Sequence, residues 1–219
     1  MVSHKLNMDP TEKVHLPFLK RLFDIVICLL LLILFVPFML VMLAWIILEQ
    51  LLIASSRGPL LYREVRMSQG EPFLFVKIRT FKQSVIDKAR RRCVVHTKDL
   101  EQDTRNFTGY GRFLYRVYLD ELPQLFNVLK GDLTMVGPRP TNPERNAELI
   151  ENNLNTKNQM KCGLTGPYQA AKGTGARSDY EMDRQYINFV KAHSGWQVVC
   201  NDLNILYQTG FAVFRAAGE

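Results

Sequence analysis

From Ile25 to Leu48 the chain carries no charged residue. A run of that length exceeds the roughly 20 residues that cross a bilayer core, so one segment of any fold this chain adopts has to be taken up by lipid. A secretory signal is the competing reading. Its apolar region is shorter and ends at a small-residue cleavage site, whereas here Trp45-Ile46-Ile47-Leu48 continues to Glu49. Lys13, Lys20 and Arg21 precede the run and Arg57, Arg63 and Arg66 follow it, so both flanks read as cytoplasmic by the positive-inside rule. Pro37 lies near the middle, where it removes a backbone donor and clashes with the preceding turn; each half is then roughly 18 Å of helix and reaches mid-bilayer. Two arrangements fit: a helix-break-helix that enters and leaves by the same face, or a kinked spanning helix, since proline is tolerated in membrane helices.

The remainder of the 219 residues, in a chain that is 47% hydrophobic and 22% charged, suffices for one compact domain beside that anchor. A net charge of +7 favours an anionic partner, and nucleic acid, anionic lipid and a phosphorylated substrate all qualify. Cys28, Cys93, Cys162 and Cys200 are far apart and form no CxxC pair, which indicates neither a zinc site nor a disulfide framework and suits a reducing cytosol. Gly58-Pro59-Leu60-Leu61-Tyr62-Arg63 and the strand-like Pro72 to Arg79 predict a small hairpin. The polar stretch from Asp87 to Asp103, with Arg90-Arg91-Arg92, predicts an exposed helix or loop. Leu122, Leu125, Phe126 and Leu129 have the spacing of a buried helix face, in a helix beginning near Asp120. Further helices are predicted over Pro143 to Asn155, over Asp179 to Lys191 with Met182, Tyr186 and Phe189 on one side, and over Trp196 to Arg215. In the last of these Val199, Leu203, Leu206, Phe211 and Phe214 recur at helical spacing, and its aromatics suit either a headgroup boundary or an ordinary core.

The chemistry concentrates between Leu119 and Pro140. Asp120 is placed as an N-cap with Pro123 in the first turn, at a helix terminus that attracts phosphate. Asp120 and Glu121 point about 100° apart on a helix and together can grip one cation, although an Asp-Glu pair also serves as a plain cap. Arg139 stands between Pro138 and Pro140, a stiff backbone suited to a phosphate clamp and equally to a surface turn.

Lys20-Arg21-Leu22-Phe23-Asp24, Gly58-Pro59, Lys77-Ile78-Arg79-Thr80-Phe81, Leu119-Asp120-Glu121-Leu122-Pro123-Gln124, Gly131-Asp132 and Gly137-Pro138-Arg139-Pro140 occur in that order. The ordered set resembles the bacterial sugar transferase family, the monotopic polyprenyl-phosphate phosphoglycosyl transferases. The likeness continues through Gly163-Leu164-Thr165-Gly166 with Gln169, Asp183 with Tyr186, and Asp202 to Thr209, so it covers nearly everything after Leu19. It implies an α+β, mainly helical fold: an N-terminal tail over residues 1–19, a re-entrant membrane helix over 20–56 broken at Pro37, and a cytoplasmic catalytic domain over 57–219 with a short hairpin and amphipathic interfacial helices.

The implied reaction moves a sugar-1-phosphate from a UDP-sugar to polyprenyl (undecaprenyl) phosphate at the cytoplasmic face of the bacterial inner membrane, releasing UMP, in surface polysaccharide or glycoconjugate assembly. By the same resemblance Asp120 is the nucleophile, and Asp120 with Glu121 holds Mg2+. Lys77, Arg79, Arg116 and Arg139 bind substrate phosphates, and Gly163, Thr165, Gly166, Gln169 and Asp183 contribute to substrate binding. Nucleic acid is not an expected partner; a homo-oligomer is compatible. An inactive membrane-bound scaffold or nucleotide-sugar binder of the same fold is the alternative. Three departures bear on this: Tyr115 stands where many members have an arginine, with Arg116 next to it; Val36 replaces a frequent serine before Pro37; and the loop Ala170 to Gly175 strays from the usual pattern, which bears on sugar or nucleotide preference.

Overall fold

The structure, a computed structural model, describes residues 13–91, 98–171 and 178–218. It opens with helix α1 (Phe18–Leu52), whose 35 residues give about 52 Å of helix, well beyond a bilayer core. α1 is assigned as one helix with Pro37 inside it, so no non-helical residue separates two halves. A proline deletes one backbone donor and bends its turn without having to end the helix when neighbouring turns keep their bonds. Leu30, Ile33, Leu34, Leu40, Val41, Leu51 and Leu52 lie exposed along α1, and among the described residues α1 is the helix long and apolar enough to cross a membrane.

Strands β1 (Leu61–Ser68) and β2 (Glu71–Ile78) form the expected hairpin. Gln69 and Gly70 turn it with φ of 52° and 79°, the positive pair that matches strand twist in a two-residue loop. β2 alternates, with Phe73 and Phe75 buried around an exposed Leu74. Then come α2 (Gln83–Arg91), the single turn α3 (Lys98–Glu101), α4 (Gly109–Arg116), α5 (Gln124–Lys130), β3 (Thr134–Val136), α6 (Pro143–Glu151), the single turn α7 (Thr156–Gln159), β4 (Gly163–Thr165), the single turn α8 (Pro167–Ala170), α9 (Asp179–Ala192) and α10 (Gly195–Gly218). α6, α9 and α10 match the helices read from periodicity. In the polar stretch, Arg90 and Arg91 close α2, while Arg92 lies outside the described residues. Phe126, expected on a buried face, is 60% exposed; Gln124, Leu125 and Val128 of α5 turn inward instead.

The chain packs as two units. The first comprises the described residues within 1–28, 65–74 and 127–212. β3 and β4 pair in parallel there, Thr134 against Gly163 and Val136 against Thr165, over a core that includes Met135, Met160, Ile187, Val190 and Val198. A buried polar knot ties the first turns of α1 to this core. Lys20 donates to Asp202 at 2.6 Å and to the Val136 carbonyl at 3.0 Å; the Tyr186 hydroxyl donates to Asp202 at 2.6 Å and to the same carbonyl at 3.1 Å. Asp24 accepts from the Thr134 hydroxyl and from the Met135 amide. The far end of α5 closes with the Gly131 amide on Val128 and the Asp132 amide on Asn127, the paired bonds of a Schellman motif. Arg21 donates to the Val128 carbonyl as well, at 2.7 Å, and to the Leu129 carbonyl at 2.8 Å.

The second unit takes in the described residues within 29–64, 75–126 and 213–219. Met42 and Ile46 of α1, Ile78 of β2 and Tyr110 and Leu114 of α4 make one buried cluster, and Phe81, Ile86 and Phe107 make another. Glu49, near the end of α1, is buried. It accepts from the Gly109 and Tyr110 amides at 2.7 and 2.8 Å and from the Ser56 hydroxyl at 2.6 Å, while Thr108 accepts from the Gly111 amide at 3.0 Å. The first three donors of α4 are thereby satisfied, with a negative charge at the positive end of the helix.

Candidate active site

α4 ends at Arg116, and Tyr118, with φ 57° and ψ 19°, turns the chain sharply into a 3-10 turn over Leu119–Glu121. A left-handed tyrosine is uncommon and holds on the order of 1 kcal/mol or more of strain. Asp120 sits inside the 3-10 turn, not at the cap of α5, which begins at Gln124. The difference has a local cause: the segment winds tightly, Leu122 bonding to Leu119, Leu125 to Leu122 and Phe126 to Pro123. The capping signature cannot tell one helical geometry from the other.

The consequence for Asp120 is burial. It is 3% exposed and makes no ion pair among the described residues. Burial pushes its carboxyl from 3.8 up to about 7; the neighbouring Glu121 charge adds to the rise, Lys77 opposes it, the Asp120 amide opposes it further, and Glu101 adds slightly. Negative charge here is held without a neutralising partner, which raises its energy and its readiness to engage a cation or an electrophile. Asp120, Glu121 and Lys77 are therefore neighbours in one electrostatic environment. Lys77 extends over the Tyr62 ring, 5.7 Å from its centroid. Arg116 is exposed. Tyr115 packs its ring at a tilt against Phe107, the centroids 5.1 Å apart, and donates to Glu101 at 2.8 Å. Burial first, and then the Glu101 carboxylate, push its hydroxyl well above the usual tyrosine range.

Arg79 is in the same unit but differently engaged. It is 1% exposed, and its guanidinium donates to the carbonyls of Pro59, Phe81 and Ser56 at 2.7, 2.6 and 2.7 Å. With Tyr110 facing it at 6.0 Å, it offers no free edge to a phosphate. Its place is in the fold, fixing the loop after α1.

Arg139, in the first unit, is exposed between buried Pro138 and Pro140, and no partner engages its guanidinium among the described residues. The weaker candidates in that unit divide. Gly163 and Gly166 belong to a strand and its end, not to an open loop, and a Cβ on either would lie 2.1 Å from the backbone of Gly137. They are glycines because two backbones meet. The Thr165 hydroxyl lies 2.9 Å from that of Thr209. Asp183 is buried against Lys157, which also reaches Asp179 at 3.4 Å; burial raises its carboxyl to about 6 although Lys157 works against the rise. These are internal contacts. Gln169 stands apart, because both polar atoms of its amide are buried without a partner among the described residues. Of the unusual loop, Lys172 to Gly175 lies outside the described residues.

Asp120 and Glu121 also suit the cation expected of them. No group of three or more His, Cys, Asp or Glu that could hold a metal exists among the described residues, but magnesium typically takes one or two carboxylates and completes its shell with substrate phosphate and water. An unneutralised buried carboxylate beside a second one is that kind of donor set.

Sequence reasoning passed over Glu101 and the Lys20, Asp24 and Asp202 knot. Glu101 carried no motif; Lys20 and Asp202 were in matched segments with no sign of which other residue each would meet.

Comparison with known proteins places the description "Bacterial sugar transferase" on residues 15–216. An undecaprenyl-phosphate galactose phosphotransferase of Salmonella typhimurium is 33% identical, over 92% of this chain and 41% of its own length. A UDP-glucose:undecaprenyl-phosphate glucose-1-phosphate transferase of Caulobacter vibrioides is also 33% identical, over 91% of this chain and 71% of its own. A putative undecaprenyl-phosphate N-acetylgalactosaminyl 1-phosphate transferase of Bacillus subtilis is 44% identical, over 42% of this chain and 49% of its own. Against several of these relatives the chain spans about two fifths of their length.

Proposed function

This chain belongs to the bacterial sugar transferase family, and from that membership and the buried Asp120 we propose that it transfers a sugar-1-phosphate from a UDP-sugar to undecaprenyl phosphate, releasing UMP. The observation that carries the reading is a carboxylate 3% exposed, with its pKa lifted to about 7, inside the Leu119 to Pro140 motif.

In the first step an Asp120 oxygen attacks the phosphorus that bears the sugar, and the bond from that phosphorus to the bridging oxygen breaks, so that UMP departs with the electron pair. In the second, an oxygen of the lipid phosphate attacks the same phosphorus and the bond to Asp120 breaks, regenerating the carboxylate and yielding the sugar diphospholipid. Dividing the transfer spares a direct encounter of two large anions. A carboxylate and a phosphate oxygen repel by about 4 kcal/mol at 4 Å and an effective dielectric near 20. Asp120 and Glu121 would hold Mg2+, which would supply charge neutralisation for the diphosphate. Lys77 contributes fixed positive charge beside Asp120, Arg116 offers an exposed cation in the same unit, and Arg139 is the phosphate-binding cation of the first unit. Arg79 has no such role.

The same reading puts α1 in the bacterial inner membrane as a re-entrant element, with the rest at the cytoplasmic face. Basic flanks on both sides of the apolar run support it. α10 supports it too: Trp196, Leu203, Tyr207 and Phe211 are exposed on one helical face, with Val198, Asp202 and Ile205 buried on the other, the division expected of a helix lying in a headgroup layer. The deciding assay is UMP release from a panel of UDP-sugars with undecaprenyl phosphate and Mg2+. One active sugar is expected, with no release from Asp120→Asn; full turnover by that variant excludes the covalent scheme.

A further inference from the structure

A cleft of about 230 Å³ opens in the first unit, and none of the residues assigned to the reaction above lines it. Its walls carry Arg21, Lys161 and His15 with the apolar Val14, Leu16 and Leu133, and among the described residues no Asp or Glu lines it. The volume falls below the ~300–1,000 Å³ of pockets for drug-sized ligands, which excludes a nucleotide sugar and suits a small charged group. The amide of Gln69, on the same wall, already donates to the Val14 carbonyl at 3.0 Å. Asp132, the nearest acid in sequence, is taken by Lys130 at 3.3 Å and by the Asn127 amide at 3.1 Å.

The cations differ in what they have left to give. Arg21 uses one donor of each terminal nitrogen on the end of α5, which fixes its plane and leaves other N–H groups of the fork unassigned. Lys161 and His15 have no side-chain hydrogen bond or ion pair among the described residues. A held guanidinium, a free ammonium and an imidazole around one small cavity are the donor set of a phosphate. Arg21 also precedes the uncharged run at Ile25 by four residues, about 6 Å along the helix. With α1 in the bilayer, the cleft sits at headgroup depth, and its apolar wall offers a path for an acyl chain.

We propose that this cleft binds a phosphate group carried by a membrane lipid. The assignment to lipid rests on the membrane reading of α1 given above; the phosphate site does not, and neither depends on catalysis. The test is the thermal shift of the full chain in neutral detergent with three additions: dioctanoyl phosphatidic acid, dioctanoyl phosphatidylcholine, and inorganic phosphate. At about ten times half-saturation, phosphatidic acid raises Tm by roughly 3–6 °C, phosphatidylcholine leaves it unchanged, and phosphate alone gives a smaller rise. Lys161→Gln, whose own Tm matches the parent because the side chain holds nothing, loses at least half of the shift; Lys161→Arg keeps it, and so does Arg139→Ala. An equal Lys161-dependent rise with inorganic phosphate supports the site and overturns the lipid as its source. A shift that Lys161→Gln leaves intact, or no shift in any arm, overturns the site.

Discussion

Asp120 is held in a folded state that prefers it protonated, and this has a cost that can be measured. Its carboxyl is raised from 3.8 to about 7, so between those values the folded chain binds more protons than the unfolded one and stability falls as pH rises. The contribution is fully present below pH 4 and is lost by about pH 7, on the order of 4 kcal/mol before any bound cation offsets it. Asp120→Asn, in metal-free buffer, is therefore expected to raise Tm by several degrees at pH 8 and to leave it nearly unchanged at pH 4; calorimetry at the two pH values checks this. The same variant should reduce UMP release by at least about a thousandfold, as removal of a group acting in the transition state does. Two arginines give the opposite contrast. Arg79→Lys strands buried carbonyls and is expected to cost about 3 kcal/mol or more, a fall in Tm of roughly 6–12 °C. Arg139→Ala should leave Tm in place while raising KM for the donor. Denaturation and steady-state kinetics on both separate fold from site. In sequence the two arginines looked alike, since a motif position records that a cation is required without recording whether carbonyls or phosphates require it.

Elements whose side chains obey a long repeat were legible: the hairpin, α9 and α10 follow from alternation or helical spacing. β3 and β4 were not. Three buried residues each, they show no alternation, and their pairing joins positions about thirty apart that no local pattern links. The turn at Asp120 was misread for a related reason, because a capping motif with proline specifies a chain reversal and leaves its winding to tertiary packing. The knot at the start of α1 tests how strongly such unseen pairings matter. Lys20→Met leaves Asp202 and Asp24 without their cation in a dry interior and should cost about 3–5 kcal/mol, whereas Lys20→Met combined with Asp202→Leu should recover a large part of the loss. A double-mutant cycle by urea denaturation measures the coupling.

At the scale of the molecule, the uncharged run and its basic flanks carried most of what could be known beforehand, and they leave the direction of α1 as the point to settle. Single cysteines introduced at His15 and Arg57, in a background lacking the native ones, should both react with a membrane-impermeant maleimide from the same side of sealed inverted vesicles. Labelling from opposite sides would establish a spanning helix. How the chain divides into two packing units was hidden from the sequence altogether, since each unit gathers segments from distant parts of the chain.

The bond from Lys20 to Asp202 joins residues 182 positions apart, and so it dictates an order of events during synthesis. The ribosome delivers the carboxylate 182 residues after the ammonium, and closing so long a loop must await the later partner. Until then the base of α1 keeps its charge hydrated and the first unit stays open. Nascent chains arrested before residue 202 should accordingly remain protease-sensitive, however completely their earlier segments have been made.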